Sequence, residues 1–331
     1  MKTAQKISLL IGAFLLVLFL GALFWITPSD PQESLKKPVV SELTEIQMGY
    51  IPVPQPLFIA KEKKFFEEEG IHVNLVEFPN ANANLEAMVR GDVHGSGSIA
   101  YFTLFPFELK SPGFLTTFVS GYETKEKSWS QLIVKKDRAI KEPKDFRGKK
   151  IAMRAGLSSK IQADAVFKGM GLDLSTLTYV QVNPDLLIST FSNPEVDAFL
   201  DIQPFGTILL NQQLGELFAD HPRADYIMDP YPLAAGVLTR DFVLKHPEET
   251  KRFVKAIEKA IDFIETNEAD SRQIYTSYLK LDADVANKMP LFQNVKLKDL
   301  DRSAIESLVT WAFDYELIEK KPNLQTFFLE Q

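Results

Sequence analysis

Two periodicities alternate along most of the chain. EIQMGY (45–50) and IHVNLVEF (71–78) place apolar residues at every second position, as half-buried strands do. Between them, LFIAKEKKFFEEEG (57–70) repeats its apolar residues at helical spacing and ends on Gly70, a natural helix stop. The stretch IPVPQP (51–56) carries three prolines and cannot continue a strand ladder. ANLEAMVRGD (83–92) predicts a helix stopped at Gly91, VHGSGSIA (93–100) a strand running into a Gly/Ser loop, and FLTTFVSGY (114–122) another strand. The pattern then recurs. Strands are predicted at 129–137, 149–156, 177–182 and 196–202, with helices at 157–171, 183–191 and 203–215. Beyond YPLAAGVLTRDF (231–242) the chain turns helical, most strongly in PEETKRFVKAIEKAIDFIETN (247–267). Two similar α/β halves built from βαβ units and a mostly parallel sheet are the expected architecture. The late helices, with no third sheet of their own, must pack on what is already built.

A different pattern opens the chain. Residues 7–26, ISLLIGAFLLVLFLGALFWI, carry no charge over about the length a helix needs to cross ~30 Å of hydrocarbon. Lys2 and Lys6 precede this run and Trp25 sits near its end, which keeps the N-terminus cytoplasmic and the rest of the chain outside. No A-x-A pattern follows the apolar core, so an uncleaved membrane anchor is favoured over a cleaved signal peptide. Residues 27–44, TPSDPQESLKKPVVSELT, read as a linker.

Composition narrows the function classes. The 331 residues include 37 Lys+Arg and 44 Asp+Glu, a net charge of −7, which argues against a nucleic-acid partner. There is no cysteine, so disulfides, thiolate metal sites, a cysteine nucleophile and a lipidated cysteine are all excluded. The four histidines, His72, His94, His221 and His246, form no metal-binding spacing and read as structural or surface groups. No nucleophile elbow, phosphate loop or dinucleotide fingerprint is present. No catalytic residue, metal site or cofactor is expected.

Several stretches carry a resemblance. PLFIAKEKKFFEEEGIHV (56–73), LEAMVRGDVHGSGSIA (85–100), EPKDFRGKKIAMRAGLSS (142–159), NPEVDAFLDIQPF (193–205) and HPEETKRFVKAIEKAIDFIETN (246–267) follow one another. In that order and spacing they resemble the solute-binding proteins of ABC importers for sulfonates, taurine, nitrate and thiamine-type pyrimidines. Asn193-Pro194-Glu195 stands where that family usually has a glycine before the V-D-A turn, and Asp92-Val93-His94 shifts the usual acidic position. The resemblance implies a two-lobed clamp of the type II periplasmic-binding-protein kind. Lobe one would comprise 45–125 plus 233–331 and lobe two 126–232, with crossing segments near 121–130 and 229–237 as hinge. It further implies capture of a small solute between the lobes, delivery to an ABC permease with its ATPase, and an extracytoplasmic location. Two other readings stay open: a ligand-sensing ectodomain for a membrane partner, and an enzyme like the thiamine-pyrimidine synthases of the same fold family.

Open α/β sheets bind ligands beyond the carboxyl ends of their strands, here between the lobes. Ala155-Gly156-Leu157-Ser158-Ser159 leaves a strand and opens a helix, so its free N–H groups suit an anion. Ser158 and Ser159 can add hydroxyls, or simply cap the helix. Arg154 and Lys160 beside them read as solvated charges. Ser96 and Ser98 lie in the Gly/Ser stretch, where glycine permits close approach of a ligand or forms an ordinary tight turn. Gln55 lies in the loop that, by the resemblance, borders the ligand. Asp201 and Gln203 end a strand before Pro204. Asp201 there either accepts from ligand N–H groups and opposes an oxyanion, or caps the next helix. That weighs toward a nitrogen heterocycle over a sulfonate or nitrate. Tyr122 and Tyr231, with Trp129, flank the crossings as aromatic walls or as core.

Overall fold

The computed structural model describes residues 44–330. The expected anchor or signal at 7–26 and the linker up to residue 43 lie outside the described residues, and Thr44, expected to end the linker, opens the first strand. Among the described residues no helix is long and apolar enough to cross a membrane.

The first half opens with strand β1 (Thr44–Tyr50). Helix α1 (Pro56–Glu62) follows, its proline at the first turn where no N–H is needed. Where one helix is expected over 57–70 there are two, because Lys64 adopts a left-handed conformation (φ 60°) before α2 (Phe65–Glu68). Strand β2 (Ile71–Glu77) and helix α3 (Ala81–Arg90) come next. Asn80 caps α3 by accepting from the Ala83 N–H at 2.9 Å, and Gly91 ends it at φ 83°. Strand β3 (Gly95–Ala100) contains the Gly/Ser run expected to be a loop. A β-carbon on Gly95 would lie 2.4 Å from the Val237 carbonyl oxygen, and one on Gly97 would lie 1.9 Å from Gln55 Oε1. The glycines thus let neighbouring segments close on this central strand. Helix α4 (Tyr101–Lys110) follows directly, and β4 (Leu115–Glu123) is buried throughout.

The chain then crosses to a second sheet. It is built by β5 (Ser130–Val134), β6 (Lys150–Arg154), helix α5 (Leu157–Gly169), β7 (Thr178–Val182), α6 (Leu187–Ser192), β8 (Ala198–Ile202), α7 (Phe205–Asn211), β9 (Glu216–Ala219) and α8 (Pro222–Tyr226). It returns in β10 (Tyr231–Thr239), where part of the second hinge crossing was expected and an interior strand of the first sheet stands instead. Helices α9 (Arg240–Lys245), α10 (Pro247–Thr266), α11 (Glu268–Leu279) and α12 (Ala283–Lys288) lead to β11 (Gln293–Val295) and α13 (Arg302–Asp314).

The first sheet runs β11-β4-β10-β3-β1-β2 and the second β7-β6-β8-β5-β9. Both are mixed rather than mostly parallel. β1 pairs parallel with β2 and β3, and β6 with β7 and β8, whereas β10 runs against β3 and β4, and β5 against β8 and β9. The strands that run against the parallel ones beside the crossings are β5 and β10, each the first strand after a crossing, while β4 runs with β1–β3. A strand that enters a lobe from the far lobe starts at the edge where the parallel strands end, so it must run against them.

Register fixes where the cleft lies. Tyr231, the start of β10, faces Glu123, the end of β4, and Ala234 faces Ala100, the end of β3. In the second sheet Ser130, the start of β5, faces Ile202, the end of β8. Both crossings therefore attach at the carboxyl edges of the parallel strands, and those two edges face each other across the lobes. Apolar clusters lie on both faces of each sheet, and one of them joins Ile161 of α5 to α4 and β10, across the two lobes.

Candidate functional site

Residues at the carboxyl edge of the second sheet form the candidate site. Arg154 ends β6, Asp201 precedes the last residue of β8, and Gln131 faces Asp201 directly in the β5–β8 register. Arg154 Nη2 lies 3.4 Å from Asp201 Oδ1, and its guanidinium sits 5.6 Å from the ring centroid of Phe205 at the start of α7. Asp201 Oδ1 also accepts from the Ile202 N–H at 2.7 Å. The Asp201 side chain is only 7 % exposed. Gln131 Nε2 donates to Asp220 Oδ1 at 2.6 Å, and its Oε1 packs where a β-carbon on Gly206 would lie 2.0 Å away. Four buried polar atoms at this edge have no partner: Arg154 Nε, Asp201 Oδ2, Gln131 Oε1 and Gln203 Nε2. Unpaired buried polar atoms are costly, and four of them gather at this strand edge.

The start of α5 stands beside Arg154. Gly156 occupies the N-cap position with φ 130°, and no side chain caps this helix. The Gly156 N–H donates to Gln181 Oε1 at 3.2 Å. Ser158 and Ser159 lie inside the first turn, so neither is the capping serine weighed from the sequence. Ser158 Oγ accepts from Gln162 Nε2 at 3.1 Å, and both serines are half-buried. The first-turn N–H groups, and the positive end of the helix dipole, remain available to an anion.

Gln203 and Asp201 have local roles that differ from those expected. Asp201 does not cap α7; Pro204 holds the N-cap position. Gln203 Oε1 accepts from the Thr207 N–H at 3.3 Å and Oγ1 at 2.8 Å, which satisfies an early helix donor. Asp201 faces the Arg154 guanidinium, so its charge is balanced within lobe two. The premise that it opposes an oxyanion therefore fails on geometry. Arg154 is not a solvated charge either: its side chain is 22 % exposed and held on two sides.

On lobe one, Gln55 is buried in the loop after β1. Its Nε2 donates to the Ile51 and Val53 carbonyls at 3.0 and 3.1 Å, and its Oε1 lies unpaired against Gly97. Ser96 is fully buried and its Oγ accepts from Asn84 Nδ2 at 2.7 Å, while Ser98 is half-buried in the same strand. Tyr101 shares a hydrogen bond with Ser120 at 2.9 Å. Tyr122 donates to the Asp301 carbonyl at 3.2 Å, and burial pushes its hydroxyl up to about 12. Trp129 packs against Phe292, ring centroids 5.0 Å apart. Tyr231 is buried beside Arg223, and burial raises its hydroxyl pKa. The structure thus brings Ser158, Ser159, Asp201 and Gln203 to one edge, places Gln55 and Ser98 on lobe one, and fits Ser96, Tyr122 and Tyr231 into buried contacts.

Sequence reading overlooked Gln131, Phe205 and the role of Arg154. The signal for Arg154 was present, since it is the last residue of a strand that opens onto an uncapped helix. The histidines stand elsewhere. His94 Nδ1 accepts from the Gln47 N–H at 3.0 Å, and its ring stacks on Phe242, which stacks in turn on His246. His221 pairs with Asp225 at 2.9 Å. Among the described residues no group of three or more His, Asp or Glu is placed to hold a metal ion.

Lobe two also touches lobe one at its flanks. Asn211 Nδ2 donates to Asp284 Oδ2 at 3.1 Å, Lys288 Nζ donates to Asn211 Oδ1 at 3.2 Å, and Lys168 Nζ donates to the Tyr315 carbonyl at 2.5 Å.

The chain belongs to the NMT1/THI5 like family, whose profile matches residues 52–270. It is 26 % identical over 296 residues to a Bacillus subtilis protein named for aliphatic sulfonate binding, covering 85 % of this chain and 84 % of that one. It is 24 % identical over 254 residues to the 4-amino-5-hydroxymethyl-2-methylpyrimidine phosphate synthase of Schizosaccharomyces pombe, covering 72 % of this chain and 68 % of the enzyme. Among solved structures, the periplasmic aliphatic sulphonate binding protein of Escherichia coli superimposes with a TM-score of 0.72 at 17 % identity, covering 86 % of this chain and 92 % of that one. That likeness fixes the two-lobed α/β fold.

Proposed function

We propose that this member of the NMT1/THI5 like family is the solute-binding component of an ABC importer of the sulfonate type. It works outside the cytoplasmic membrane, with residues 7–26 as the tether. Its ligand is a small organic oxyanion seated between the lobes. The observation that carries this reading is the placement of Arg154. Its guanidinium is held by Asp201 and Phe205 at the carboxyl edge of β6, next to the uncapped start of α5. A guanidinium so fixed presents its remaining N–H groups without losing much side-chain freedom on binding. The first-turn N–H groups of α5, which opens just after Arg154, favour negative charge. The similarity to the Bacillus subtilis protein supports the same ligand class.

Binding across the cleft would engage both lobes and shift the population toward the closed form, which is what a permease and its ATPase would recognise. The lobe boundaries proposed are 45–125 plus 233–331 for lobe one and 126–232 for lobe two. Catalysis is not part of the reading, although the yeast relative is a synthase. The rings of His94 and His246 are stacked on Phe242 in lobe one, His221 just beyond β9 is paired with Asp225, and the chain has no cysteine.

The test is a thermal-shift series with alkanesulfonates, nitrate, taurine, pyrimidines and riboflavin. At a hundredfold over its dissociation constant, a cleft ligand adds about 2.7 kcal/mol of stability. A shift with sulfonates supports the reading. A shift with pyrimidines alone would move the ligand to the heterocycle class, and no shift with any oxyanion would sink it.

A further inference from the structure

The lobes are joined through residues 124–129 and 227–230, and one carboxylate sits at the junction of both. Glu123 ends β4 and is fully buried. Its Oε2 accepts from the Ser130 N–H at 2.9 Å and its Oε1 from Ser130 Oγ at 2.7 Å, so it bonds the first residue of lobe two's sheet. Arg223 of α8, also in lobe two, places Nη1 3.5 Å from Glu123 Oε2 and is 5 % exposed. The Arg223 guanidinium in turn lies 5.9 Å from the ring of Tyr231, the first residue of β10, which belongs to the first sheet. A single buried ion pair therefore ties the end of the outgoing strand, the start of the incoming strand and the start of the returning one.

The other polar contacts between the lobes described above are of a different kind. The Asn211–Asp284–Lys288 group lies in solvent, with the Asp284 and Lys288 side chains 65 % and 54 % exposed. Exposed pairs exchange for water at little cost, whereas separating a buried pair leaves an uncompensated charge without solvent. Opening that broke the Glu123–Arg223 contact would strand both charges; opening that pivots about it would strand neither. We infer that the Glu123–Arg223 pair is the fulcrum of lobe motion: it stays formed while the flank contacts part and re-form, and so fixes the axis and the end point of closure. Glu123 and Arg223 are positioning residues in this sense, and the inference holds whatever the ligand is.

The absence of native cysteine makes the test direct, because two introduced cysteines are the only labelling sites. Glu86→Cys on lobe one and Asp185→Cys on lobe two, both exposed, report the interlobe distance by pulsed electron resonance of spin labels. Asp185→Cys with Lys141→Cys, both in lobe two, serves as the intralobe control. In the full chain without ligand, Glu123→Gln is expected to shift and broaden the interlobe distribution while the intralobe distance stays fixed. Lys288→Ala, which removes a flank contact, is expected to change the weights of the same distances without new ones. An interlobe distribution in Glu123→Gln as narrow as in the parent, at the same distances, overturns the inference. Where Glu123→Gln does not fold, the double variant Glu123→Met/Arg223→Met removes both charges together. Broadening there supports a fulcrum, and an unchanged distribution overturns it.

Discussion

Arg154 and Asp201 stand 3.4 Å apart, Nη2 to Oδ1, near the ends of two neighbouring parallel strands. The carboxylate is more deeply buried than the guanidinium it faces, 7 % against 22 % side-chain exposure. Asp201 therefore holds Arg154 from the buried side, and Arg154 is the more exposed member of the pair. Asp201→Ala would leave the guanidinium half-buried and unpaired. It should lower the free energy of unfolding by about 1–3 kcal/mol. Urea denaturation of the variant checks this, and an unchanged midpoint would show that the pair does not hold the site together.

Gly97 sets how closely β3 approaches the Gln55 loop. A β-carbon there would lie 1.9 Å from Gln55 Oε1 and 2.3 Å from Leu57 Cδ1. Gln55 cannot easily swing away, since its Nε2 is held by two carbonyls. Gly97→Ala should cost about 1–3 kcal/mol through overpacking. Gly148→Ala is a useful comparison because nothing lies near its β-carbon position, although its φ of 74° still strains alanine. Thermal unfolding of the two should separate a steric cost from a purely conformational one.

His94 gives the fold a weak acid dependence. Burial lowers its pKa below the ordinary histidine value, and the nearby His246 lowers it further. The unfolded state then binds a proton more readily than the folded one. Stability is fully present above about pH 6.5 and is lost as pH falls through the lowered folded value. His94→Asn can still accept from the Gln47 N–H but does not titrate. Its unfolding free energy should vary less between pH 7 and 5 than that of the parent, which equilibrium denaturation at each pH measures.

The flank contacts should matter little to the fold. Lys288→Ala removes exposed partners from Asp284 and Asn211. Its effect on unfolding should stay within about 1 kcal/mol. The same change should speed ligand release, because one of the contacts that hold the lobes together is gone; stopped-flow dissociation reads that rate.

Much of this molecule is legible in the sequence. Gly70 and Gly91 stop their helices in positive φ, and the helix expected at 247–267 spans Pro247–Thr266. The failures at β3 and at the site share one cause, which is long-range pairing. The strand expected at 93–100 is present as β3; its Gly/Ser run at 95–98 reads as a loop by composition, yet β1 and β10 close on both sides of it and keep it in the strand. Helix α4 is interrupted in its pattern by Pro106, and its run YFTLFPF is apolar on every side. At the site, the position of Asp201 at a strand end was visible, but its partner was not. Arg154 lies on another strand, and only the β6–β8 pairing brings the two together. The Glu123–Arg223 contact spans a hundred positions of sequence and leaves no local signal.

The most direct test of the account is a calorimetric titration of one alkanesulfonate into the parent and into Arg154→Met. Charge-assisted hydrogen bonds to a partly buried guanidinium are worth about 1.5–3 kcal/mol, so the variant should bind roughly ten- to a hundredfold more weakly with its fold intact. Equal affinity in the two proteins, or no binding by the parent, would contradict an oxyanion site at Arg154.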